Sequence, residues 1–185
     1  MEHNNKIFIY NNFKIENAIT DGDLLDIDGY CCHYNKVNLN GEMVNEASFK
    51  RFFEMQKEGK IKPALNYNHS DQLIGGIDFL ESRKEGLYMR AHLNKKIALV
   101  RDTIIPCIEA GDLNSLSTEG FILNGWHGIE ELGENTYYVK DFILTAVAVV
   151  AVPADYEAKF TFKNFLQTQK PETTKTTYKP KWYLL

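Results

Sequence analysis

Long apolar runs are missing from this 185-residue chain. The longest, residues 142–154 ("FILTAVAVVAVPA"), holds Thr145 and Pro153. It is too short to span a bilayer and suits a strand buried on both faces. No membrane association is expected. Cysteine is scarce, with only Cys31, Cys32 and Cys107. Adjacent cysteines rarely bridge each other, and the three form no metal-ligand spacing. Reduced thiols in a cytosol-like compartment are expected, with no metal and no cofactor. A dominant charge sign is also missing. The 21 Lys and Arg against 25 Asp and Glu leave −4, which gives no general attraction for nucleic acid or anionic lipid. The first residues lack the basic-then-apolar order of a signal peptide. There is no internal repeat.

What is present points to one domain with a real core. A chain of this size buries about 70% of its unfolded surface. Residues 6–34 read as strands, and "NKVNLNGEMV" reads as a loop. Asn45 starts a helix near 46–58, which Gly59 stops. "KPALNYNHSDQLIGGIDFLE" returns to strand, broken at Gly75-Gly76. "GLYMRAHL" alternates, with Leu87, Met89, Ala91 and Leu93 on one face. Asn94 caps a second helix near 95–110, kinked at Pro106 and ended by Gly111. Strands follow to Pro153. From Gln167 the character changes to a Thr/Lys/Pro mix with an aromatic end. Four lysines against one glutamate make this tail +3. Two units are expected: a domain over 1–166 and an extended tail over 167–185.

Chemistry has few places to sit. His3 falls in a polar end, His92 alternates outward, and His33 has no second ligand pair; these and His127 read as structural. His69, in "NYNHSDQLIGG", follows a strand among small polar residues and is a candidate base. "LNSLSTEGF" reads either as a polar turn or as the seat of a nucleophile. Ser117 and Ser115 are its hydroxyls, and Ser117 would meet His69 only through the fold.

The ordered set "NHSDQLIGGIDFLESRKEGLYMRAHLN", a helix, "GDLNSLSTEGF" and "LTAVAVVAVPADYEA" resembles the prohead (capsid maturation) proteases of tailed phages. The likeness runs over about residues 24–160. It implies a fold like that of the herpesvirus assemblins: α+β, mainly β, an antiparallel barrel-like sheet flanked by a few helices. It implies Ser117 as nucleophile and His69 as general base, with backbone amides near Thr118 and Glu119 in the oxyanion hole. Capsid or scaffold protein of the prohead would be substrate and partner. The protein would work in the bacterial host cytoplasm, inside the prohead or virion, as a possible homo-oligomer.

One place departs from that pattern. The late strand usually carries an acid where this chain has Ala146, and a serine where it has Ala148. Asp141 is the nearest substitute for the third catalytic group, although its odd offset needs a bulge to bring it to the same face. Asp71 and Glu119, each two residues from a candidate partner, are the other choices. The missing acid also keeps open a second function: a weakened or inactive protease-fold structural or cargo protein, docked through its "KWYLL" tail.

Overall fold

The computed structural model describes residues 21–129 and 133–162. The tail 167–185, the first 20 residues and His3 lie outside them. Eight strands form one curled sheet: β1 (Leu24–His33), β2 (Glu42–Met43), β3 (Ala64–Tyr67), β4 (Leu73–Ser82), β5 (Gly86–Asn94), β6 (Ser115–Ile129), β7 (Gly133–Val150) and β8 (Phe160–Phe162). The order is β2-β7-β3-β4-β5-β1-β8, with β6 paired to β7. A bridge between Ser115 and Lys159 ties the start of β6 to the segment before β8. The sheet therefore rolls into a half-barrel. Two short helices accompany it, α1 (Lys50–Lys57) and α2 (Ile105–Ala110).

The expected antiparallel sheet is corrected to a mixed one. β3 runs parallel to β7, with Ala64 opposite Ala146 and Tyr67 opposite Val149, and β2 is also parallel to β7. A parallel pair needs a long crossover. The chain from β4 through β6, including α2, separates β3 from β7 and provides it.

Local signals account for most element ends. The Asn45 side chain accepts the Ser48 N–H (3.1 Å), and Ser48 Oγ accepts the Asn45 N–H (2.9 Å). This reciprocal cap starts a 3-10 turn, Glu46–Phe49, that leads into α1. Gly59, at φ +70°, lies just past the helix end. The second helical stretch is less regular than expected. A π turn over Val100–Ile104 precedes α2. Pro106 has no N–H for the carbonyl four residues back, which favours such a widened turn. Gly111, at φ +85°, ends α2.

Gly75-Gly76 does not break the strand; β4 runs through it. A Cβ on Gly75 would stand 1.8 Å from the His92 carbonyl oxygen, so glycine lets β4 press against β5. The alternation in β5 holds: Leu87, Met89, Ala91 and Leu93 are all buried. Along β7, residues 146–150 are all buried: β3 and β6 pair with its edges, and Val147 and Val149 join the hydrophobic core. Phe49 and Phe52 pack the α1 region into this core with no exposure.

Candidate active site

β7 carries the site between its two neighbours. Ser117 on β6 stands opposite Ala148 of β7, and Ala148 stands opposite Asn66 of β3. Two positions along, Glu119 faces Ala146, which faces Ala64. Directly opposed residues share one face of a sheet, so these six form two adjacent rows on the same side. The alanines keep the middle of each row low. Ser117 is thus a strand residue, 6% exposed. The turn comes earlier, at 111–114.

His69 follows β3 in a tight turn. Its φ is +56° and that of Asn68 is +52°, a left-handed pair that bulky residues adopt uncommonly. The turn is held by its own backbone: Asn68 N–H donates to the Val149 carbonyl (3.0 Å) and Tyr67 N–H to that of Gln72 (3.2 Å). It brings His69 over β7 toward β6. His69 Nδ1–H donates to Glu119 Oε2 at 3.3 Å, and Asn66 Nδ2–H donates to the same oxygen at 3.2 Å. His69 and Glu119 are each a little over 40% exposed, whereas Asn66 is buried. Ser117 and His69 line one groove of about 800 Å³. They meet across β7, which lies between the strand of Ser117 and the strand that precedes His69.

Asp141 is not brought to this place. Its Cα partner is Asn124, and its carboxylate accepts from Arg51 Nη1 of α1 at 3.4 Å. It lies seven residues along β7 from Ala148, roughly 24 Å at the usual strand rise. It does not line the groove. Bulges do interrupt the β6–β7 ladder between the two points, but they do not fold the strand back. Asp141→Asn is therefore expected to keep the cleavage rate within about threefold of wild type. A carboxylate that orients the base would cost on the order of 10⁴ when turned into an amide. Rates measured for the two proteins side by side check this.

The other polar candidates have different occupations. Ser115 has no exposure, and Lys159 Nζ donates to its hydroxyl at 2.8 Å. Unlike Ser117, Ser115 does not line the groove, so its hydroxyl is closed to a peptide bond. His92 pairs with Asp78 at 2.8 Å, and His127 packs edge-on against Tyr137. His33, which reads as structural in the sequence, also lines the groove, and its Nδ1–H and main-chain N–H both donate to Asp155 Oδ2 (2.8 and 2.6 Å). No pattern near His33 announced this, because Asp155 is 122 residues away. Cys31 and Cys32 sit beside that pair, but burial pushes both thiols up, Cys32 to about 12. They are poor nucleophiles there. Among the described residues, no group of three or more His, Cys, Asp or Glu is arranged to hold a metal ion. Among them, too, no helix is long and apolar enough to cross a membrane.

Solved structures share this architecture. The bacteriophage T4 capsid assembly protease superposes with a TM-score of 0.55 at 18% identity, covering 68% of this chain and 80% of that one. The KSHV protease, in complex with a hexapeptide phosphonate inhibitor, gives 0.50 at 12% identity, covering 76% and 65%. The varicella-zoster virus protease gives 0.46 at 14%, covering 75% and 64%. The chain thus spans just under two thirds of the length of either herpesvirus protease. At such identities the first two likenesses speak for the fold alone, a curled half-barrel sheet. No curated protein matches the chain. The sequence profile of the caudovirus prohead serine proteases matches residues 12–174, and the chain belongs to that family.

Proposed function

We propose that the protein is a capsid maturation serine protease that cleaves scaffold or capsid-protein segments inside the phage prohead. Ser117 is the nucleophile and His69 the general base. The observation that carries this reading is the shared groove: a hydroxyl and an imidazole both line it, with the Nδ1 of the imidazole already turned to a carboxylate. That leaves Nε2 to take the Ser117 proton. Ser117 Oγ attacks the scissile carbonyl carbon as Nε2 accepts the proton. Backbone N–H groups near Thr118 and Glu119 receive the developing oxyanion. Collapse breaks the C–N bond, and His69 returns the proton to the leaving amine. Water, activated by the same nitrogen, then hydrolyses the acyl-serine.

Ala146 and Ala148 favour a second reading, a virion structural or cargo protein that kept the fold and lost the rate. Co-expression with the cognate major capsid and scaffold proteins separates the two. Shortened capsid or scaffold chains with the wild type, and full-length ones without it, are the expected result. Full-length chains in mature particles that contain the wild-type protein would favour the cargo reading.

A further inference from the structure

We propose that Glu119, on the nucleophile's own strand, is the positioning residue that orients His69, supported from below by Asn66. This rests on Ser117 and His69 being the catalytic pair. The late-strand acid that the family resemblance implies is absent at Ala146, but Ala146 and Glu119 are direct partners across the β6–β7 ladder. Opposed Cβ atoms in an antiparallel pair stand only about 4.5–5.5 Å apart and face the same side. The carboxylate has crossed one rung of the ladder. It reaches the same space from the other strand.

Three features fit that role. The first is spacing. Ser117 and Glu119 are two residues apart on β6, so their side chains leave one face roughly 6.8 Å apart. One imidazole with a hydrogen bond of about 3 Å on either side spans such a gap. The second is tautomer. A carboxylate only accepts, so the 3.3 Å contact fixes the proton on Nδ1 and frees Nε2 for the Ser117 hydroxyl. The third is support. Asn66 is 5% exposed, and its amide N–H holds the Glu119 oxygen that faces His69. Its Oδ1 is buried with no partner, so the amide gains its one described side-chain hydrogen bond from Glu119. Small residues at 146 and 148 leave the room above β7 that the three side chains share. No proton passes to Glu119. It orients the ring and stabilises the imidazolium that forms when Ser117 gives up its proton.

The test uses the full-length protein and a capsid-protein or peptide cleavage assay, with folding of each variant checked by circular dichroism. Glu119→Gln is expected to lower kcat by 10²- to 10⁴-fold, with KM changed less than about threefold. In ¹⁵N spectra, wild-type His69 should show the Nδ1–H tautomer, and Glu119→Gln should gain Nε2–H. Glu119→Ala should be as slow as Glu119→Gln. Adding Ala146→Glu to it should recover at least about tenfold, because the acid is restored from across the rung. A purely structural Glu119 would move neither the tautomer nor the rescue. Wild-type kcat and tautomer in Glu119→Gln, with activity lost in Ser117→Ala, would overturn the role of Glu119 and leave the catalytic pair standing. Activity retained in Ser117→Ala would overturn both.

Discussion

Ser117→Ala is expected to stop cleavage while leaving the protein folded. Removing the serine of a triad costs on the order of 10⁶ in kcat, about as much as removing all of its members. Among the described residues, the neighbouring serine and the two buried thiols are unsuited to replace it. Ser115 is sealed and held by Lys159, and the thiols of Cys31 and Cys32 are buried and protonated. The stability change should stay within about 1 kcal/mol, because one oxygen is lost and no void larger than a methyl group is made. Cleavage assays and urea unfolding of the same preparation measure both. Residual cleavage within tenfold of wild type would place the nucleophile elsewhere.

The largest effect on the fold is expected from Phe49→Ala. Phe49 has no exposure, stacks edge-on with Phe142 (5.6 Å between ring centres) and lies 6.0 Å from the Tyr34 ring. Phe142 in turn lines the groove. Truncating such a ring removes its transfer free energy and leaves a cavity, about 3–5 kcal/mol together. Domains of this kind hold only about 5–15 kcal/mol in total. For a chain of this length each kcal/mol moves Tm by about 2–4 °C, so a fall of roughly 10 °C is expected. Thermal unfolding followed by circular dichroism reads it. A change below about 2 °C would mean that the junction between the α1 region and β7 is not where the stability lies.

The parts of this molecule that were legible in its sequence are those set by short-range chemistry. Asn45 and Ser48 announce a helix start, Gly59 and Gly111 announce ends, and the alternation over 87–93 announces a one-faced strand. The apolar run of β7 announces a strand with neighbours on both sides. His69 and Ser117 stood out by residue type and by the order of the elements around them. The parallel pairing of β3 with β7 was not legible, because strand direction is decided by a crossover and not by the residues of either strand. Gly75-Gly76 looked like a break, since sequence does not distinguish a glycine that turns the chain from one that admits a neighbouring carbonyl.

The third group is not legible for a related reason. Asp141 is close to position 146 along β7, but nearness along an extended strand is distance in space, and its carboxylate lies 3.4 Å from Arg51 Nη1 on α1. The residue directly opposite position 146 lies across the ladder, at Glu119, 27 residues earlier in the chain, and it is the one proposed above to orient His69. Register decides which residues share a rung, and register only becomes visible once β6 and β7 are paired.

The most direct test of the account is covalent labelling with a peptidyl phosphonate. The full-length wild-type protein is incubated with the reagent, digested and mapped by mass spectrometry. One adduct is expected, on Ser117, with labelling lost in Ser117→Ala and slowed by orders of magnitude in His69→Ala. An adduct that persists in Ser117→Ala, or a wild-type protein that stays unlabelled under conditions in which it processes capsid protein, would contradict it.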